Sequence, residues 1–288
     1  MPDHLSSYSV AIFAYNEEKT IGRCIESVVR NADKNLQEIV VLANGCTDNT
    51  CNIVESLSAK IGILKLVRID EGDKCNAWNQ YVYHHADENC SVHFFTDGDC
   101  TFDGNVFSVL STRLQHDENA NAAAGVPLSG RNRKKYLNLL QERYCLFGNC
   151  YALKEEFLAK IRYLNFHLPK GLLWIDSAIT KAVNSDLGHQ MVGYNDRIVY
   201  EPNCGYRFDS IKPFSWKDLR VYFSRIARYK AGQLQEEHLE KMAFADWPKD
   251  LTRMNQTILA DIDSGNKRLA PWFKGAIRKK LSQNPSKK

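Results

Sequence analysis

The sequence lacks any apolar run approaching the ~18 to 20 residues needed to cross a bilayer, which excludes an integral membrane enzyme. It also lacks a Cys-x-x-Cys pair among its nine cysteines. The nearest pairs, Cys46 with Cys51 and Cys145 with Cys150, do not have zinc-ribbon spacing, so no structural zinc site is expected. Behind Met1-Pro2-Asp3-His4 there is no basic and apolar leader. With an odd number of cysteines, the expectation is a reduced, cytoplasmic protein whose cysteines are mostly core thiols. Charge of one sign is scarce: the net charge is only +4, and the excess gathers in Lys267, Arg268, Lys274, Arg278, Lys279, Lys280, Lys287 and Lys288. A body so close to neutral argues against a nucleic-acid groove, and leaves the basic tail as a surface for phosphate groups or an anionic membrane. No internal repeat, low-complexity tract or linker interrupts the chain.

What is present suits one large α/β domain or two small ones: 288 residues, 44% hydrophobic and 25% charged, near the globular average. Tyr8 to Ala14 is a short apolar run with β-branched residues and reads as a buried strand. Glu17 to Val29 follows as a helix, because Ile21, Cys24, Ile25 and Val28 recur on one face. The alternation continues with a strand at Glu38 to Leu42, a helix beginning near Asp48 that this side chain caps, and a strand at Ile63 to Ile69. A helix at Lys74 to His85 and a strand at Ser91 to Thr96 complete four units, which imply a mainly parallel central sheet flanked by helices. The second half is less regular. It reads as a strand at Ala122 to Pro127, helices at Lys135 to Tyr144 and Ile175 to Val183, and strands near Gln190 to Val192 and Arg197 to Glu201. After Pro213 the pattern is helical, with Phe214 to Gln235 the longest segment and breaks at Pro248 and Pro271.

In open α/β sheets ligands bind beyond the carboxyl ends of the strands, and here each of those ends is polar. They are Tyr15-Asn16-Glu17, Asn44-Gly45-Cys46-Thr47-Asp48, Asp70-Glu71-Gly72-Asp73-Lys74 and Asp97-Gly98-Asp99. Two carboxylates separated by one glycine point two oxygen donors into one site, a set suited to a hard divalent cation that bridges a diphosphate. Alone, Asp-Gly is more often a surface turn. Its place after the buried-looking Val92 to Phe95, beside three other polar strand ends, reverses that reading.

In order and spacing, four segments resemble the family-two glycosyltransferases of the glycosyltransferase A fold. They are Ala14-Tyr15-Asn16-Glu17-Glu18, Ala43 to Thr50, Gly72 to Asn79 and Thr96-Asp97-Gly98-Asp99, and the likeness runs from about Ser9 to Gln233. The resemblance implies a nucleotide-diphospho-sugar transferase fold over 1–212, with a nucleotide-binding half at 1–100, an acceptor half at 101–212, and a helical C-terminal extension at 213–288. It places Phe13, Tyr15 and Glu17 at the nucleoside, Tyr15 having core packing as its alternative. It sets Asn44 where the family usually has a uracil-reading aspartate; a plain turn is the other reading. Lys74 would offset the diphosphate charge, unless it is a solvated helix-start lysine. Asp99 would be the direct ligand of Mg2+ or Mn2+, with Asp97 on the ribose or on a metal-bound water.

A base must also take the acceptor proton. By resemblance to the family's acceptor side, Gly148 to Leu153 precedes it, and Leu173 to Ile179 supplies Asp176, with Ile175 where a glutamate is more common. A helix N-cap is the competing role for Asp176. Arg225 to Gln233 resembles the Gln-x-x-Arg-Trp segment of polymer-forming members with Arg and Tyr substituted, which leaves Arg228 as a diphosphate or acceptor contact or one of a row of solvated arginines. The tail from Leu269 to Leu281 mixes aromatic and basic residues like an interfacial helix, against the alternative of a helix packed on the domain.

The function expected is inverting transfer of a hexose or N-acetylhexosamine from a nucleotide diphosphate sugar, uridine-linked, to a glycan, lipid-linked or small-molecule hydroxyl. The enzyme would be cytoplasmic, with the tail touching the inner face of a membrane. Two other classes remain open: a nucleotidyltransferase forming nucleotide sugars, whose usual glycine-rich basic loop is replaced here by the acidic Ala14 to Glu18, and a non-catalytic sugar-nucleotide-binding module.

Overall fold

The computed structural model describes residues 7–130, 133–143, 145–188, 193–208, 216–265 and 271–282. The first four strands are β1 (Tyr8–Ala14), β2 (Leu36–Asn44), β3 (Leu64–Ile69) and β4 (Val92–Asp97), and all run parallel in the order β3-β2-β1-β4. The chain then adds β5 (Thr101–Asp103), β6 (Ala122–Pro127), β7 (Cys150–Lys154) and β8 (Ile198–Arg207), extending the sheet as β4-β7-β6-β8-β5. Pairings β4 with β7, β7 with β6 and β8 with β5 are antiparallel, so the parallel half is the one that sequence alternation describes.

Among the described residues seven α-helices cover the sheet: α1 (Ile21–Asn31), α2 (Thr50–Ser58), α3 (Lys74–Gln80), α4 (Val106–Gln115), α5 (Arg133–Arg143), α6 (Glu155–Tyr163) and α7 (Ile175–Asn184). Because strand side chains alternate, β1 splits its apolar run between two cores. Ala11 and Phe13 join Phe95, Trp78 and Tyr151 on the face covered by α3, α6 and α7, while Val10, Ile12 and Ala14 join Phe94 and Phe107 on the face covered by α1, α2 and α4. Trp78, Tyr8, Phe94 and Phe95 are fully buried. Full burial of a phenylalanine such as Phe94 or Phe95 contributes roughly 1.5–3 kcal/mol.

Several boundaries differ from the sequence reading. The helix after β1 begins at Ile21, since Glu17 to Thr20 form a turn in which Glu17 O accepts from Thr20 N at 3.0 Å and the Thr20 hydroxyl donates to the Glu17 carboxylate at 2.5 Å. Lys74 to His85 is helical throughout, but its last turn, Tyr81–His85, widens to π geometry. β5, α4, β7 and α6 have no counterpart in the sequence pattern. The strand expected near Gln190 to Val192 lies outside the described residues.

Among the described residues three more helices follow β8: α8 (Trp216–Leu239), α9 (Thr252–Asp263) and α10 (Pro271–Leu281). Ala227, Ala231 and Leu234 pack with Ile258, Ile262, Ile277 and Leu281 in a core of their own. The apolar stripe of α10 is thereby turned into the protein rather than left for a bilayer. Arg278 pairs with Asp263, and Lys279 stays exposed. Residues Lys267, Arg268, Leu269, Ala270, Lys287 and Lys288 lie outside the described residues. Among the described residues no helix is long and apolar enough to cross a membrane.

Candidate active site

The ends of β1, β2, β3 and β4 meet at one edge of the sheet, and hydrogen bonds between their loops fix them there. The Asn16 side-chain oxygen accepts from Thr47 N at 2.8 Å, and Glu17 N donates to Thr50 Oγ1 at 2.8 Å, tying the first strand end to the second. Asp48 accepts from Thr50 N at 3.0 Å and Glu18 N at 3.1 Å, so it caps the start of α2 as expected and also holds the β1 loop. Against the pull of burial, the hydrogen bonds from Thr50 and Glu18 keep the Asp48 carboxyl below its usual range.

Asn44 is buried, and its side-chain oxygen accepts from Asp73 N at 3.0 Å. That atom is turned inward to shape the β3–α3 loop. Asp73 then caps α3, accepting from Asn76 N at 2.8 Å. The cap aims Lys74 back across the crevice, where its ammonium forms an ion pair with Asp97 and lies 5.5 Å from the centre of the Phe13 ring. Lys74 is therefore engaged rather than merely solvated. Phe13 is buried with its ring stacked on Phe95, and Tyr15 is exposed at 44%, so Tyr15 is not a core residue.

Gly98 lies beneath the acidic pair with its N–H donating to Phe13 O at 2.9 Å. A Cβ there would meet Phe13 O at 3.2 Å and Ala14 Cβ at 3.4 Å, which explains the glycine by close approach of β1. The turn sets Asp97 and Asp99 side by side. Burial pushes the Asp99 carboxyl up, and repulsion from Asp97 adds to it; Lys74 offsets only part. Burial also raises Glu17, with Asp99, Asp97 and Asp48 adding to it.

Asp176 enters from the other half of the chain as the second residue of α7, whose N-cap position is taken by Trp174. The N-cap alternative is thereby set aside. Burial raises its carboxyl, while Lys74 and Arg228 pull it down and Asp97 pushes it up, which puts these three groups within electrostatic reach of Asp176. Arg228 reaches in from α8, its Nε donating to Leu173 O at 3.3 Å. Among the described residues, the carboxylates Glu17, Asp48, Asp97, Asp99 and Asp176 thus share this field with the cations Lys74 and Arg228. Among these groups the carboxylates outnumber the cations.

That imbalance fits a divalent cation. Among the described residues no three or more His, Cys, Asp or Glu side chains gather into a closed metal cage. Two carboxylates on one open turn are what a magnesium-type ion needs when phosphates and water complete its shell.

Four contributors were missed by the sequence reading. Asp73 and Gln235 are buried polar residues that tie the halves together. Tyr151 stacks on Phe95 and accepts from Trp78 Nε1 at 2.9 Å, forming a floor that feels both Asp97 and Asp176. Tyr136 on α5 feels Tyr229, Arg225 and Asp176. Only Asp73 left a local signal, as an acidic residue before a helix.

A family model described as glycosyl transferase family 2 matches residues 9–213. No curated protein sequence matches the chain. Among solved structures, the mannosyltransferase PcManGT from Pyrobaculum calidifontis, in complex with GDP-Man and Mn2+, is 16% identical over 97% of this chain and 86% of its own, with a TM-score of 0.63. S. aureus TarS 1-349 is 16% identical over 96% of this chain and 82% of its own, at 0.55. GalNAc-T7 with UDP, GalNAc and Mn2+ is 15% identical over 90% of this chain and 58% of its own, at 0.55. At such identities the likeness speaks to the fold, which is glycosyltransferase A.

Proposed function

The chain belongs to glycosyl transferase family 2, and from that premise we propose that it moves a hexose or N-acetylhexosamine from a uridine diphosphate sugar to a hydroxyl acceptor with inversion. The observation that carries this reading is the convergence of the acidic pair, Lys74 and Asp176, from two halves of the chain, at one sheet edge. PcManGT was captured with GDP-Man and Mn2+, and GalNAc-T7 with UDP and Mn2+, so nucleotide sugar with a divalent ion is the donor chemistry this fold supports elsewhere.

In this reading Asp99, with Asp97, would hold Mg2+ or Mn2+, which would supply charge to stabilise the leaving diphosphate. Lys74 stays paired to Asp97 and gives a second positive point beside the phosphates. Phe13, Tyr15 and Glu17 border the nucleoside, and Asn44 acts by shaping the loop around it. Asp176, ionised, accepts the proton of the acceptor hydroxyl as that oxygen attacks the sugar carbon from the face opposite the diphosphate. Arg228 helps keep Asp176 ionised and closes the acceptor side. Residues 1–212 form the catalytic unit and 213–288 the helical extension that supports it. The acceptor is a glycan, lipid-linked or small-molecule hydroxyl.

A thermal-shift screen of UDP and GDP sugars with and without manganese tests the reading. A ligand at 100 times its Kd stabilises by about 2.7 kcal/mol, so a UDP sugar should raise the melting temperature only when manganese is present. Stabilisation by GDP sugars alone would reassign the base, and stabilisation by none would remove the donor site.

A further inference from the structure

The backbone from Lys170 to Leu173, just before Asp176, belongs to no helix or strand beyond a single bridge from Lys170 to Asp250. Leu172 N donates locally to Pro169 O at 3.1 Å, and the other partners named below come from distant parts of the chain. Lys170 N donates to Lys249 O at 2.9 Å, and Lys170 O accepts from Leu251 N at 3.0 Å. Gly171 N donates to Asp73 Oδ2 at 2.8 Å, and Gly171 O accepts from Gln235 Nε2 at 3.0 Å. Leu173 N donates to Gln235 Oε1 at 2.9 Å, and Cys75 Sγ lies 3.6 Å from Leu172 O.

Two side chains dominate this strap. Gln235 is fully buried with its amide satisfied on every side, because its second N–H donates to Asn255 Oδ1 at 2.9 Å. A buried amide is costly unless bonded in this way, so an apolar residue would fill the space more cheaply if filling were all that the position required. Asp73 is also buried and divides its two oxygens, one capping α3 and one holding Gly171. Gly171 has φ of +81°, a left-handed turn that presents its N–H to Asp73 while its carbonyl meets Gln235.

We propose that Asp73 and Gln235 form a clamp on Gly171 and Leu173 that sets the position of Asp176 relative to the acidic pair. Resting on the role given to Asp176 above, it makes both residues positioning residues. Asp73 and Cys75 flank Lys74, so the turn that aims the ammonium at Asp97 also holds the strap leading to Asp176. Gln235 supplies the opposite jaw, which makes α8 part of the catalytic geometry. Misplacement of a reacting group by about 1 Å can cost on the order of 100-fold in rate, and that is the scale of effect at stake.

The test uses the full chain with Asp73→Asn, which keeps one accepting oxygen for the α3 cap but cannot accept twice, and Gln235→Met, which keeps bulk and loses every hydrogen bond. Turnover is read as manganese-dependent UDP release from UDP-glucose and UDP-N-acetylglucosamine, donor-side binding as the calorimetric Kd of UDP, and the strap directly as amide hydrogen exchange over residues 171–176. The expected result is a kcat lower by on the order of 100-fold, a UDP Kd changed less than about twofold, and faster exchange confined to the strap and the first turn of α7. Wild-type kcat and wild-type exchange in both variants would overturn the clamp, and so would loss of UDP binding and kcat in proportion, which marks a merely structural role. Asp176→Asn is measured alongside. If it retains full turnover the base reading fails, and the clamp is then judged by the exchange of the strap alone.

Discussion

The donor side of the crevice is held by the sheet's own ladder, with β1 to β4 ending together because they are paired along their length, whereas the acceptor side hangs on side chains that reach in from α3 and α8. Backbone ladders place a group through local regularity. Side-chain anchors place it only when residues far apart in sequence have already come together, Asp73 and Gly171 being 98 positions apart. The two sides should therefore fail differently: changes on the donor side should weaken binding and chemistry together, and changes on the acceptor side should slow chemistry alone.

The sharpest test of that contrast is Asp99→Asn. Losing a ligand for a divalent ion removes several kcal/mol of charge stabilisation, so transfer should fall by at least about a thousandfold and manganese-dependent UDP binding should disappear in calorimetry. Asp176→Asn should slow transfer by about 100- to 1,000-fold, the range for loss of a general base, and leave the Kd of UDP within about twofold. Equal weakening of UDP binding in both variants would erase the distinction between the sides. Lys74→Met sits between them: a single point charge beside a diphosphate is worth about tenfold in UDP affinity at the effective dielectric of a half-exposed site, measured by the same titration.

Gly98→Ala probes the donor side through packing instead of charge. The added Cβ meets Phe13 O at 3.2 Å, so the turn must shift by a few tenths of an ångström. A loss of about 1–2 kcal/mol is expected, visible as a melting temperature lower by several degrees, with donor affinity falling in step. The smallest effect is a displacement rather than a loss. Burial raises the Asp176 carboxyl, so the folded protein keeps this proton to a higher pH than an exposed aspartate would. The base form appears only above that raised value, and kcat should rise with pH through an acid limb lying above the ordinary aspartate range. The same shift penalises the charged form in the folded state, so the contribution of this group to stability increases as pH falls through its folded pKa.

Much of the donor side was legible beforehand. The apolar runs at Tyr8 to Ala14 and Val92 to Phe95 located β1 and β4, and the polar residues after each run marked the crevice, because a strand buried on both faces leaves an unbroken hydrophobic signature. The segment from Thr101 to Asp103 was overlooked, since three residues carry too little periodicity, and its pairing with β8 joins positions about a hundred residues apart. From sequence Asn44 fits a base contact or a turn, and its inward bond to Asp73 favours loop shaping. The tail shows the same limit: Leu281 and Ile277 look like the apolar face of an interfacial helix until α8 and α9 are seen to cover them.

By itself the sequence determined the α/β alternation, the parallel half of the sheet and the strand ends at which Tyr15, Asn44, Lys74 and the Asp97-Gly98-Asp99 segment stand. These follow from hydrophobic runs and turn residues a few positions apart, which act locally. Only the tertiary structure decided that Lys74 pairs with Asp97, that Asp176 shares their field, and that Gln235 braces the strap before it. Those relations depend on charge and hydrogen bonding at short range between groups distant in sequence, and such groups become neighbours only once the two cores have packed.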